Sequence, residues 1–72
     1  MIKNKKVNAA ILIIGNEILS GRTKDTNTST IASWLNTIGV KVTEVRVIPD
    51  IENTIIDTIN VLRKSNDYVF TT

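Results

Sequence analysis

The chain has 72 residues, a net charge of +2, and neither cysteine nor histidine. It is therefore at most one small domain, and its own residues exclude zinc fingers, iron–sulfur clusters, cysteine nucleophiles and Ser-His-Asp triads. The charge is too small to predict nucleic-acid binding. The longest apolar run, residues 9–14, is too short for a membrane span or a signal peptide. We therefore expect a cytoplasmic protein.

The first predicted element is a strand over residues 10–14, an uninterrupted apolar run. A strand that is buried on both faces has this pattern, which indicates a sheet with helices on each side. A polar turn bounded by Gly15 and Gly21 follows. We expect Gly15 to allow a sharp exit from the strand and Gly21 to let a ligand approach the main chain.

A helix is predicted after this turn. Residues 26–38 carry apolar side chains three and four positions apart, which is the spacing of one helix face. The side chain of Asn27 or Thr28 is expected to cap the start of the helix. Gly39 stands where a left-handed residue closes a helix.

The second predicted strand covers residues 40–48, which are rich in β-branched side chains. Glu44 and Arg46 interrupt the alternation of apolar and polar residues. We therefore expect one side of this strand to lie near solvent. Pro49 ends the strand.

A second helix over residues 51–64 and a third strand over residues 67–72 complete the pattern. The order β-α-β-α-β with short connections predicts a parallel sheet, because such crossovers are right-handed. The fold class is therefore α/β, as part of a three-layer α/β/α domain. We predict the strand order 2-1-3, since it places the most apolar strand in the centre and brings the ends of strands one and three together.

The polar turn carries candidate ligand-binding residues at the carboxyl end of the first strand, where α/β sheets bind ligands. It is not a P-loop, because five residues separate its glycines and an arginine follows, and it lacks the G-x-G-x-x-G pattern. Helix capping explains Asp25 and Asn27 equally well, and solvation explains Glu17. The candidates in this turn are Gly15, Asn16, Glu17, Ser20, Gly21, Asp25 and Asn27.

Asp50 follows the second strand at the same edge of the predicted sheet. A carboxylate in this place can hold a divalent metal or polarise a water molecule. The alternative is that Asp50 only caps the helix that follows.

The sequence G-N-E-I-L-S-G at residues 15–21, continuing through K-D-T-N at residues 24–27, resembles the opening of the molybdopterin-binding domain of molybdenum cofactor biosynthesis proteins. It is most similar to the CinA-like branch, the competence/damage-inducible proteins. The I-P-D turn at residues 48–50 and the V-F-T-T end at residues 69–72 also match. The resemblance implies a pterin or nucleotide ligand at the turn, a catalytic Asp50, and a divalent metal such as Mg²⁺ held by that carboxylate.

In that family Thr71 and Thr72 would open a Thr-Thr-Gly-Gly loop, so both are predicted ligand-binding residues. Residues 1–72 are accordingly expected to be the N-terminal portion of one domain that is incomplete at its C-terminus. The resemblance implies hydrolysis of a nucleotide pyrophosphate such as ADP-ribose, which we favour, or adenylyl transfer to molybdopterin. A non-catalytic ligand-binding or oligomerisation module is the third alternative. The isolated chain is expected to be inactive and, because of its open sheet edge, a homo-oligomer.

Overall fold

The computed structural model describes residues 7–72 as a three-stranded sheet with three helices. In chain order the elements are β1 (Val7–Ile14), α1 (Asn16–Leu19), α2 (Asn27–Thr37), β2 (Val40–Ile48), α3 (Glu52–Ser65) and β3 (Tyr68–Thr71). β1 pairs in parallel with both other strands, and the sheet order is β2-β1-β3. The predicted α/β class, parallel sheet and strand order are confirmed.

The core forms around β1, whose residues Ala9–Ile13 are each no more than 4% exposed. This strand lies between two others, and right-handed crossovers in the order β2-β1-β3 place α2 and α3 on opposite faces of the sheet. On one face Ala10 and Leu12 cluster with Leu62 of α3. The alternate residues of β1 occupy the other face, and α2 carries the fully buried Leu35. Each large apolar side chain buried in this way stabilises the fold by about 1.5–3 kcal/mol.

β2 contains a bulge that explains its broken alternation. Val42 is opposite Ala9 and Glu44 is opposite Ala10, so Thr43 is an extra residue on β2. One extra residue reverses the alternation of faces, and the valine side chains before and after the bulge therefore lie on one face. The other face carries the ion pair between Glu44 and Arg46, in which both side chains are partly exposed.

Both predicted longer helices are present, with ends shifted by one residue. Gly39 has φ +84°, so its predicted left-handed role at the end of α2 is confirmed. The four-residue α1 was not predicted, because it lies inside the polar turn and is too short for an apolar periodicity. None of the helices described here is both long enough and apolar enough to cross a bilayer.

Candidate ligand site at the carboxyl edge of the sheet

The ends of all three strands meet at one edge of the sheet. The Gly15 N–H donates to the Ile48 carbonyl over 3.0 Å, which continues the pairing of β1 with β2. On the other side, the Ile14 N–H donates to the Thr72 carbonyl and the Thr72 N–H donates to the Leu12 carbonyl, each over 3.1 Å. The turns after β1 and β2 and the end of β3 are therefore adjacent, as the strand order predicted.

A side-chain hydrogen bond joins the first two turns. Asn16 Oδ1 accepts from the Asp50 N–H over 3.2 Å, across 34 residues of sequence. Both residues are exposed. This hydrogen bond holds together two predicted site residues that are far apart in the sequence.

The Asp50 carboxylate does not cap α3, so that interpretation is wrong. The helix begins at Glu52, and the residue before it, Ile51, is extended with φ −127° and ψ 124° and makes no side-chain cap. The Ile51 N–H donates to the Pro49 carbonyl over 2.9 Å, which reverses the chain at Asp50, one residue before the cap position. The carboxylate makes no hydrogen bond or ion pair within residues 7–72 and is exposed, as a ligand or metal would require.

The Glu17 carboxylate lies against Gly15. Gly15 has φ 174°, an extended conformation that any residue adopts, so the prediction that its flexibility permits the turn is wrong. A Cβ at this position would stand 3.1 Å from Glu17 Oε2. The missing side chain leaves room for the Glu17 carboxylate, which has no partner among the described residues.

Gly21 closes α1 in the left-handed conformation, with φ +80°. The Gly21 N–H donates to the Ile18 carbonyl over 3.1 Å, and the Arg22 N–H donates to the Glu17 carbonyl over 3.0 Å. These two bonds form a Schellman motif, in which glycine is the preferred residue at the left-handed position. The fold therefore requires Gly21 independently of any ligand. The close approach of a ligand to the main chain at Gly21 stays a prediction.

Arg22 is a further candidate ligand-binding residue in this turn, and its role was not predicted from the sequence. Its Nε donates to the Ser20 hydroxyl oxygen over 3.2 Å, and that hydroxyl donates to the Glu17 carbonyl over 3.2 Å. The guanidinium is exposed and has no acidic partner within residues 7–72. The only sequence signal for it was a basic residue directly after the second glycine of the turn.

Asp25 caps α2, so the capping interpretation of this residue is confirmed. Its Oδ1 accepts from the N–H groups of Asn27 and Thr28 over 3.0 and 3.3 Å, and its Oδ2 accepts from the Thr28 hydroxyl. The hydroxyl bond, together with the two main-chain bonds, lowers the pKa of Asp25. The expectation that the side chain of Asn27 or Thr28 caps the helix is wrong. Both Asp25 carboxylate oxygens already accept hydrogen bonds from α2. The ligand-binding role of Asp25 stays a prediction.

The structure thus joins some predicted residues directly and leaves others at a distance along the turn. Asn16 and Asp50 are joined by a hydrogen bond, and Glu17 contacts Gly15. At the same edge, Gly15 is bonded to Ile48, and Thr72 is bonded to Leu12 and Ile14. Ser20 and Gly21 belong to the end of α1, and Asn27 begins α2.

A family profile described as a probable molybdopterin binding domain matches residues 10–72. The chain belongs to this family. A CinA-like protein of Flavobacterium psychrophilum is 41% identical over 64 residues, which are 89% of this chain and 15% of that protein. A probable FAD synthase of Caenorhabditis elegans is 40% identical over 63 residues, which are 88% of this chain and 12% of that protein.

A solved structure shows the same architecture. CinA of Thermoplasma acidophilum, a protein described as having unknown function, is similar with a TM-score of 0.85 and 34% identity over 89% of this chain. The match covers 39% of the Thermoplasma chain. These residues thus have the fold of a CinA-like molybdopterin-binding domain. They span only a small part of the length of the two curated relatives.

Proposed function

We propose that these 72 residues are the N-terminal portion of a CinA-like molybdopterin-binding domain, and that the full-length protein hydrolyses a nucleotide pyrophosphate such as ADP-ribose. The observation that carries the proposal is the Asp50 carboxylate at the carboxyl edge of the sheet, which has no partner among residues 7–72. The main-chain N–H of the same residue donates to Asn16 Oδ1 and so holds Asp50 beside Asn16. Ligands of open α/β sheets bind at this edge. The similarity to a CinA-like protein supports the choice of this branch of the family.

The remaining predicted residues would surround the ligand. The turn after β1 would position the ring and the sugar of the ligand. The end of β3 would lie beside the phosphates, because the hydrogen bond between Ile14 and Thr72 holds it next to that turn. The proposed ligand-binding residues are Gly15, Asn16, Glu17, Ser20, Gly21, Asp25, Asn27, Thr71 and Thr72. The proposed catalytic residue is Asp50.

Hydrolysis of ADP-ribose breaks one phosphoanhydride bond. The oxygen of a water molecule joins one phosphorus, the bridging oxygen leaves with the other, and the products are AMP and ribose 5-phosphate. The site must therefore hold a doubly charged pyrophosphate next to a carboxylate, which repel each other unless a cation or a donor lies between them.

A divalent metal fits this chemistry. Residues 7–72 contain no group of three or more acidic, histidine or cysteine side chains that could hold a metal alone. Mg²⁺ is commonly bound by one or two carboxylates together with substrate phosphates, and the exposed Asp50 carboxylate is suited to that arrangement. The ion would neutralise charge on the phosphates.

The proposal is tested with the full-length protein, ADP-ribose and Mg²⁺, with chromatographic detection of AMP. We expect turnover, and a loss of about a hundredfold or more in kcat for Asp50→Asn, since an electrostatic group at the reacting centre is removed. Asp57→Asn is the matched control, because Asp57 is also an exposed aspartate without a partner among the described residues. Equal rates for the two variants would exclude Asp50 from catalysis.

Adenylyl transfer is the second candidate function, and the similarity to probable FAD synthases favours it. FAD, like ADP-ribose, contains adenosine joined through a pyrophosphate. The same full-length protein should therefore also be given ATP with molybdopterin. Formation of adenylylated molybdopterin without hydrolysis of ADP-ribose would replace our first choice, and absence of both reactions would indicate a non-catalytic binding module.

A further inference from the structure

The hydrogen bond between Asn16 and Asp50 fixes which way the Asn16 amide faces. A main-chain N–H is only a donor, so the atom that faces the Asp50 N–H must be the amide oxygen. The Asn16 Nδ2 is therefore turned away from that contact. It has no partner among residues 7–72, and the residue is exposed.

We propose that Asn16 Nδ2 donates to an anionic phosphate oxygen of the ligand while Asn16 Oδ1 holds the main chain of Asp50. This inference rests on the proposed function for the presence of a phosphate. An amide NH₂ is a neutral group with two donors and no acceptor, so the ligand atom that it binds must be an acceptor, and the oxygens of a phosphate meet this requirement. Asn16 thereby supplies the donor that a phosphate needs beside the Asp50 carboxylate.

Two substitutions separate the two halves of this role. Asn16→Asp keeps an oxygen that accepts from the Asp50 N–H but removes the donors. Asn16→Ala removes both the acceptor and the donors without adding charge. Asn60 provides matched controls, because it is an exposed asparagine on α3 without a partner among the described residues.

The test measures binding of inorganic pyrophosphate in the presence of Mg²⁺ to the full-length protein by calorimetry, with circular dichroism to show that each variant is folded. We expect Asn16→Ala and Asn16→Asp each to raise the Kd by about tenfold or more, as for a hydrogen bond to a charged group. Asn60→Ala and Asn60→Asp should stay within about twofold of the unmodified protein. Asp50 amide exchange, followed by NMR, should remain slow in Asn16→Asp and become faster in Asn16→Ala.

Several results would overturn the inference. They are unchanged pyrophosphate affinity in either Asn16 variant, equal losses in the Asn60 controls, or no measurable binding of pyrophosphate to the unmodified protein. Failure of the proposed function gives a different result. If pyrophosphate binding depends on Asn16 but ADP-ribose yields no AMP, the phosphate site stands and the proposed reaction is wrong.

Discussion

The hydroxyl of Thr43 donates to Asn66 Oδ1 over 2.5 Å and joins the bulge of β2 to the end of α3. Asn66 in turn donates from Nδ2 to the Leu62 carbonyl over 3.0 Å, in the last turn of the helix. Asn66 lies just before β3, so this pair lies away from the ligand site, toward the opposite edge of the sheet. The bulge is therefore held by a side chain as well as by the change of strand register.

The first prediction concerns this contact. Thr43→Val removes the hydroxyl and leaves Asn66 Oδ1 without its donor, so we expect the free energy of unfolding to fall by about 1 kcal/mol. Thr43→Ser keeps the hydroxyl and serves as the control. Urea titration of both variants measures the difference. An unchanged free energy of unfolding in Thr43→Val would show that the hydrogen bond does not stabilise the bulge.

Two glycines of the polar turn should respond differently to alanine. Gly21 has φ +80°, so Gly21→Ala forces a side chain into the left-handed region and should lower the free energy of unfolding by about 1 kcal/mol. Gly15→Ala meets only the flexible end of Glu17 at 3.1 Å and should cost less. Thermal unfolding of the two variants side by side gives the order. A larger loss for Gly15→Ala would contradict the assignment of the strain to Gly21.

Short sequence patterns predicted those parts of the fold that are determined by a single residue type or by one run of apolar residues. The apolar run of β1 predicted a central strand, and the place of Gly39 predicted the end of α2, because burial and left-handed geometry each select few residue types. The bulge at Thr43 was not predictable in this way, since it depends on how β2 pairs with β1.

The candidate site was also predictable only in part. Its position at one edge of the sheet followed from the strand order, whereas the bond from Asp50 to Asn16 joins residues 34 positions apart, and no local pattern encodes it. The spacing of Asp50 suggested a helix cap. The reversal of the chain between Pro49 and Ile51 moves Asp50 off the cap position.

The third prediction concerns pH. The Thr28 hydroxyl and two main-chain donors lower the pKa of Asp25 in the folded protein. The stabilisation by the charged cap is therefore complete above the unfolded-state pKa of about 4 and disappears as the pH falls through the lower pKa of the folded state. Asp25→Asn should be less stable than the unmodified protein at pH 7, and the difference should shrink below about pH 4. Thermal melts across this range test it. A difference that does not change with pH would contradict the prediction.

The last prediction concerns the open edge of β3. Within residues 7–72, β3 pairs only with β1, and both the N–H and the carbonyl of Thr72 bond to β1. Because these groups alternate along a strand, the Thr71 N–H points toward the open edge, where another chain can pair with it. The isolated 72-residue chain should therefore associate, with a melting temperature that rises with protein concentration.

Thr71→Pro tests which edge is responsible. Proline removes the outward N–H without removing a bond to β1, so sedimentation should show weaker association than in the unmodified chain. Thr71→Val is the control, because it changes the side chain but keeps the N–H, and it should associate as the unmodified chain does. If Thr71→Pro associates equally well, copies of the chain pair through another surface. The outer edge of β2 would then be the next candidate, because it is the other strand edge without a partner among residues 7–72.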